Sequence, residues 1–201
     1  MKKKQLEIKL EDIPSHPTPK AELEQYSTPP VIAADILFTA LLNGDIDNKK
    51  VIDLGCGTGI FSLGSALLGA SEVIGVDTDE EAVLTAINVR DGWGLKDIVE
   101  FEVEDVEKYQ GSSDTVIMNP PFGAQKRGAD IPFLNKAVEI APTIYSLHNA
   151  KTVDFIYKFF LNNEYSVVGE KRYMCVINNI YPFHKKEKKE IEVVLLVSKR
   201  K

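Results

Sequence analysis

The segment VIDLGCGTGIF (residues 51–61) combines a short apolar run, a turn with three glycines and the start of an apolar helix. Gly55, Gly57 and Gly59 let the backbone turn tightly and approach a ligand where a side chain would collide. Ordinary strand-to-helix turns also use glycine, so this pattern alone is weak. A second apolar run ends at Asp77, 24 residues after Asp53, where a carboxylate can accept hydrogen bonds from both hydroxyls of a ribose.

Strand and helix patterns alternate along the rest of the chain, which is typical of a doubly wound α/β sheet. We predict a Rossmann-like sheet of seven strands, mostly parallel, with an antiparallel terminal strand. Residues 31–201 form this domain, and the proline-rich residues 1–30 form an arm that contributes to the site. The predicted strands are KVIDLG, EVIGVD, DIVEFEVED, TVIMN, TIYSLH and the pair YSVVGEKRYMCVINNI and EIEVVLLVSKR; the predicted helices are VIAADILFTALLNGD, GIFSLGSALLGA, DEEAVLTAINVRDGW, IPFLNKAVEIA and KTVDFIYKFFLNN.

Composition narrows the functional class. With 201 residues, 44% of them apolar, the chain can build one core, and it contains neither an apolar run of membrane-spanning length nor a secretion signal. Cys56 and Cys175 lie far apart, which argues against a disulfide framework and a protein-borne metal site and favours the cytoplasm. A net charge of −6 is unusual for a nucleic-acid-binding protein, although residues 183–190 and 198–201 are locally basic.

The segment NPPF (residues 119–122) follows the fourth predicted strand. Pro120 and Pro121 fix two successive φ angles, and Asn119 is pushed away from helical geometry by the proline after it. The Asn119 side-chain carbonyl and the Pro120 backbone carbonyl are then two acceptors in one place, which suits an –NH2 group. Phe122 supplies a flat face on which a base can stack. For the bare tetrapeptide, a rigid turn after a strand is the alternative.

The spacing G-C-G-T-G after Asp-Leu resembles the first motif of the Rossmann-like S-adenosylmethionine-dependent methyltransferases. The resemblance implies that the glycine turn holds the amino-acid part of this cofactor, that Asp77 binds its ribose, and that residues after the third strand contact its adenine. A solvated acid remains an alternative for Asp105. The implied cofactor-binding residues are Asp53, Gly55, Gly57, Thr58, Gly59, Ile60, Asp77, Asp105 and Val106.

Asn-Pro-Pro-Phe is similar to the catalytic motif of methyltransferases that modify adenine N6, cytosine N4 or glutamine N5. The stretches at residues 23–37, 119–137 and 183–193, with YSLHN, resemble a small methyltransferase-like family of archaea and eukaryotes. Those enzymes methylate N6 of one adenosine in small-subunit ribosomal RNA. Two alternative hypotheses are that the protein is a protein glutamine-N5 methyltransferase or a DNA adenine-N6 methyltransferase. A third is that it is a cofactor-binding scaffold without turnover.

The family resemblance assigns further residues. It implies that Gln25 and Thr28 close over the cofactor, although both could be capping or arm-packing residues. It also implies an RNA-binding set. For the lysine run that includes Lys185 and Lys186 the alternative is a solvated hairpin turn, and for His148 it is a packed strand end. Asn149 stands where the family often has lysine. This set is Lys126, Arg127, His148, His184, Lys185 and Lys186.

The resemblance also implies a protein partner. Members of this family pair with a small zinc-binding activator protein that adds a strand to the sheet edge. VEFEVE (residues 99–104) is the candidate edge strand in this chain.

Overall fold

The computed structural model describes residues 1–19, 27–123, 127–178 and 188–201. Within these ranges no helix is long and apolar enough to cross a membrane. The helices are α1 (Lys3–Leu10), α2 (Pro30–Leu42), α3 (Ile60–Leu67), α4 (Glu80–Gly92), α5 (Ile131–Ile140) and α6 (Val153–Asn162); the strands are β1 (Lys50–Leu54), β2 (Glu72–Asp77), β3 (Val99–Val103), β4 (Thr115–Met118), β5 (Thr143–Asn149), β6 (Tyr165–Asn178) and β7 (Lys188–Arg200).

The seven strands form one sheet in the order β3-β2-β1-β4-β5-β7-β6. The first five strands in this order pair in parallel, whereas β7 lies antiparallel to both β5 and β6. Helices connect the parallel strands on both faces, except between β3 and β4. The predicted doubly wound α/β sheet, mostly parallel with an antiparallel terminal strand, is therefore confirmed.

Two apolar clusters cover the two faces of the sheet. On one face, α1, α2, α3 and α4 pack around residues such as Val51, Ile117 and Tyr145. On the other face, α5 and α6 pack around residues such as Ile52 and Val116. Neighbouring residues of one strand face opposite clusters because side chains alternate along a strand. The central strands are consequently buried on both faces, as expected for a parallel sheet between helix layers.

Short-range signals position the helices that approach the site. Asp79 caps α4, and its carboxylate accepts hydrogen bonds from the backbone N–H groups of Glu81 and Ala82. Acidic residues in the first turn of α4 also complement the positive end of the helix dipole. Gly59, with a φ of 88°, precedes the first residue of α3 and turns the chain from the glycine loop into the helix.

The first segment of the chain contains an element that the sequence patterns did not predict. Residues Lys3–Leu10 form α1, which packs on α2 and α3 through Leu6 and Leu10, both fully buried. Its remaining residues are largely charged, so its apolar stripe is only two side chains wide. The chain then continues without regular structure through the described residues 14–19, and residues 20–26 lie outside the described ranges.

Candidate active site

The carboxyl ends of four strands lie level with one another. Leu54 of β1 pairs with Val76 of β2 on one side and with Met118 of β4 on the other. Asp77 pairs with Val103 of β3. A cavity of about 590 Å³ opens at these strand ends. The segments that leave the sheet there are the glycine turn, Asp77, residues 104–106 and the NPPF segment. This is the usual ligand position in doubly wound sheets.

The glycine turn forms the floor of the cavity. Gly55, Gly57 and Gly59 all have positive φ angles, of 73°, 53° and 88°. A Cβ at Gly55 would lie 2.9 Å from Cε1 of Phe133, whereas a Cβ at Gly57 would meet no atom within 4 Å and would project into open space. The Gly55 and Cys56 N–H groups donate to the Val76 carbonyl, which fastens the turn to β2.

Asp77 connects the glycine turn to the next helix. Its Oδ2 accepts a 2.8 Å hydrogen bond from the Gly57 N–H, and its Oδ1 accepts a 2.9 Å bond from the Asp79 N–H. Burial raises the pKa of the Asp77 carboxyl, and these two backbone hydrogen bonds partly oppose the increase. Each oxygen keeps a second lone pair, so the carboxylate can still accept bonds from two hydroxyl groups in the cavity.

Asp53 lies behind the glycine turn and does not line the cavity. Its Oδ2 accepts hydrogen bonds from the backbone N–H and the hydroxyl of Ser62, so it fastens β1 to α3. Burial raises the pKa of this carboxyl to about 7. Cys56 does line the cavity, but burial and the charges of Asp53 and Asp77 raise the pKa of its thiol well above the ordinary value. A neutral buried thiol is a poor nucleophile.

Asn119 follows the last residue of β4 and lines the cavity. Its side chain is hydrogen-bonded to the N-terminal arm. Asn119 Nδ2 donates a 3.0 Å hydrogen bond to the hydroxyl of Thr28, which is itself buried. The other amide atom, Oδ1, is buried and has no hydrogen-bond partner among the described residues. A buried acceptor without a donor costs free energy, so this atom is suited to receive a donor from a ligand.

The structure brings most of the predicted site residues to the cavity. Predicted residues that line it are Thr28, Gly55, Gly57, Thr58, Ile60, Asp77, Asp105, Val106, Asn119 and Pro121. Predicted residues that do not line it are Asp53, Gly59, Pro120, Phe122, Arg127 and His148. Gln25, Lys126, His184, Lys185 and Lys186 lie outside the described residues.

Phe122 and His148, which do not line the cavity, pack against or within the core of the protein. Phe122 is half-buried and packs against the apolar cluster on the α2–α3 face. His148 is 1% exposed near the end of β5, and burial lowers the pKa of its imidazole to about 3. His148 is therefore neutral at physiological pH and packed in the core, in agreement with the strand-end alternative.

Several cavity residues were not predicted. The arm contributes Ile13, Ser15 and His16, and the first turn of α5 contributes Pro132 and Phe133. No local pattern identified these residues, because only the packing of the arm and of α5 across the strand ends brings them to the cavity. Among the described residues, no group of three His, Cys, Asp or Glu side chains could hold a metal ion.

Comparison with known proteins places this site in a family. A zebrafish (Danio rerio) protein named rRNA N(6)-adenosine-methyltransferase METTL5 is 39% identical over 96% of this chain and 96% of its own length. The Drosophila melanogaster protein of the same name is 39% identical over 96% of this chain and 94% of its own. The chain belongs to the rRNA N6-adenosine methyltransferase family.

A solved structure and a family model agree with this assignment. A Pyrococcus horikoshii protein described as a candidate RNA methyltransferase superposes with a TM-score of 0.93 at 39% identity, covering 100% of this chain and 98% of that one. The model for ribosomal protein L11 methyltransferase (PrmA) matches residues 16–120. That match ends inside NPPF, so it covers the first half of the chain, which contains the glycine turn and Asp77. The full-length rRNA N6-adenosine methyltransferase relatives also match the second half.

The carboxyl group of Asp53 should make the free energy of unfolding of the protein depend on pH. Its folded-state pKa is raised from 3.8 to about 7, so the folded protein holds a proton that the unfolded chain releases. The free energy of unfolding should therefore fall as pH rises between these two values and should not change further above them through this group. Asp53→Asn, which keeps an acceptor for Ser62, should flatten this fall. Urea unfolding across this pH range measures it.

The matched control for this prediction is Asp97→Asn, since Asp97 is an exposed carboxylate. This control should keep the wild-type pH dependence, because it leaves both Asp53 and its charged neighbour Asp77 unchanged. An Asp53→Asn protein with the wild-type slope would contradict the prediction.

Proposed function

We propose that this protein transfers the methyl group of S-adenosylmethionine to the exocyclic N6 amine of an adenosine in small-subunit ribosomal RNA. The observation that carries the proposal is the buried, unpartnered Oδ1 of Asn119 at the cavity, fixed by the bond from Nδ2 to Thr28. An acceptor in this position can receive a hydrogen bond from an amine, whereas a carbonyl has no hydrogen to donate. The full-length relatives that are named rRNA N(6)-adenosine-methyltransferases support adenosine in RNA as the substrate.

The cavity residues fit S-adenosylmethionine. A Cβ at Gly57 would project into open space, and the Asp77 carboxylate has free lone pairs for a ribose. The cavity volume of about 590 Å³ is also in the range of small-molecule sites. Negative charge in the cavity complements a cationic cofactor. Apart from Cys56 and His16, the ionisable side chains that line the described part of the cavity are acidic: Glu11, Asp77, Glu104, Asp105 and Glu107.

In the proposed reaction, Asn119 Oδ1 accepts one hydrogen of the adenine amine. We assign the other hydrogen to the Pro120 carbonyl, which does not line the cavity in the described structure and would meet the base only when RNA is bound. The amine lone pair, otherwise delocalised into the purine, is then directed towards the glycine turn. When bound, S-adenosylmethionine supplies an electrophilic methyl group on a sulfonium sulfur. With that cofactor bound, the nitrogen–carbon bond would form as the carbon–sulfur bond breaks, S-adenosylhomocysteine would be the leaving group, and the amine would release its proton to water. Positioning and exclusion of water supply most of the catalysis.

Asn119→Ala tests the central role of this amide. Because the Oδ1 bond strengthens only as the amine becomes pyramidal, its loss should lower kcat by roughly two to four powers of ten while cofactor affinity changes little. Methyl transfer from labelled S-adenosylmethionine to separate RNA, DNA and protein pools measures the rate and identifies the substrate. Gln110→Ala, at an exposed loop amide, is the matched control.

The same assay separates the rival functions. Label in the protein pool alone would indicate a glutamine methyltransferase, and label in DNA alone would indicate a DNA adenine methyltransferase. A scaffold would give no label in any pool, and its Asn119→Ala variant would keep its cellular function. Mapping modified nucleosides in both ribosomal subunits, in cells with and without this gene, tests the small-subunit assignment. We also propose that the protein acts in the cytoplasm, which fractionation of the same cells tests.

We propose that Phe122, which packs against the apolar cluster and does not line the cavity in the described structure, stacks on the target base when RNA is bound. Phe122→Ala should weaken RNA binding by roughly 1–3 kcal/mol and leave S-adenosylmethionine binding unchanged. Phe133→Ala is the informative partner variant, because the Phe133 ring lies against Gly55 and its loss should affect the cofactor more. Fluorescence anisotropy with RNA and calorimetry with the cofactor measure the two affinities. Equal losses for both ligands in Phe122→Ala would contradict the assignment.

We propose that β3 receives the strand of a small zinc-binding activator protein. β3 is the last strand at one side of the described sheet, and Val103 on it is 53% exposed. Val103→Lys should weaken the complex about tenfold or more by placing a charge in the interface. Val168→Lys, on the opposite edge strand β6, is the matched control, since Val168 is 59% exposed. Coexpression followed by measurement of the dissociation constant decides between them, and equal binding by both variants would exclude β3.

A further inference from the structure

His16 is a buried polar residue of the arm to which the proposed reaction gives no role. Its side chain is 8% exposed and lines the cavity. Neither Nδ1 nor Nε2 has a hydrogen-bond partner among the described residues. Asp79 Oδ2 lies 3.5 Å from Nε2, an ion-pair distance that is longer than a good hydrogen bond. Buried polar atoms in folded proteins are nearly always partnered, so this ring lacks a partner that a ligand can supply.

The position of the ring indicates which part of a ligand it meets. His16 lies close enough to Asp77 for their charges to interact, and Asp77 is the carboxylate at the end of β2 that faces the cavity. Two residues further along the arm, the Thr18 hydroxyl donates to the carboxylate of Glu81 in the first turn of α4. The arm is thus fastened to α4 beside the ring, and His16 is held over the same end of the cavity as Asp77.

The two side chains have complementary hydrogen-bonding capacity. The Asp77 carboxylate can only accept, whereas an imidazole N–H donates. A hydroxyl group can donate and accept at the same time, so it can give its hydrogen to Asp77 while its oxygen receives the N–H of His16. A ribose diol at this position would therefore provide the partner that His16 lacks.

We propose that His16 is a cofactor-binding residue that donates a hydrogen bond to a ribose hydroxyl of the adenosyl cofactor, opposite Asp77. The inference rests on the proposed function only in taking the cofactor to be an adenosyl compound. It gives the arm a direct part in cofactor capture, next to its contact between Thr28 and Asn119.

The test is calorimetric binding of S-adenosylhomocysteine and its 2′-deoxy and 3′-deoxy ribose analogues, without RNA. His16→Phe keeps a planar ring and removes both nitrogens, and it should bind S-adenosylhomocysteine about 3- to 10-fold more weakly than wild type. For one of the two deoxy analogues, wild type and variant should bind equally, because the hydroxyl that His16 contacts is already absent. His16→Asn, which retains an N–H donor, should recover part of the affinity.

The control is Asp12→Asn, an exposed position on the same arm that does not line the cavity, and it should bind all three ligands like wild type. Thermal melting confirms that each variant is folded. Wild-type affinity in His16→Phe would overturn the inference, and so would an equal loss for all three ligands. A wild-type protein that binds none of the ligands would instead overturn the proposed function, which separates the two failures.

Discussion

The carboxylate of Asp77 is the constraint on which the rest of the site depends. One of its oxygens holds the Gly57 N–H at 2.8 Å, and the other holds the Asp79 N–H at 2.9 Å. The first bond fixes the glycine turn after β1, and the second fixes the start of α4 after β2. Because β1, β2 and β4 end level with one another, Asn119 lies at the same end of the sheet as the turn that Asp77 holds. Asp53 reinforces the arrangement from behind by holding Ser62 of α3.

The fold could be predicted from the sequence because its signals are local. Apolar strands alternate with helices, Asp79 caps α4, and glycines with positive φ mark the turns. Parallel pairing then places the carboxyl ends of β1, β2, β3, β4 and β5 at the same end of the sheet, so motifs found separately along the chain meet in space. Helix α1 could not be predicted in this way, because only Leu6 and Leu10 mark its buried face, and α2 and α3 are needed to bury them.

Sequence patterns predicted the site residues that directly follow a strand, because the position of such a residue depends only on its own strand. Asp77, Asn119 and the cavity-lining glycines are of this kind. Asp53 precedes the turn as a cofactor-binding residue would, but its side chain points to α3, which spacing along a strand does not reveal. His16 and Phe133 reach the cavity through segments that cross the strand ends from outside the sheet, and no periodicity records such a crossing.

The bond between Thr28 and Asn119 has a consequence for which bases this enzyme can accept. An asparagine amide is ambivalent, since rotation by half a turn exchanges its donor and acceptor. In the observed orientation the threonine hydroxyl takes up Nδ2, so Oδ1 is the amide atom left for an incoming nucleobase. Inosine and guanosine present a keto oxygen at the six-position, and two oxygens would then repel each other. In this orientation the amide favours an amino purine over a keto purine, and the residue that occupies its other end lies outside the sheet.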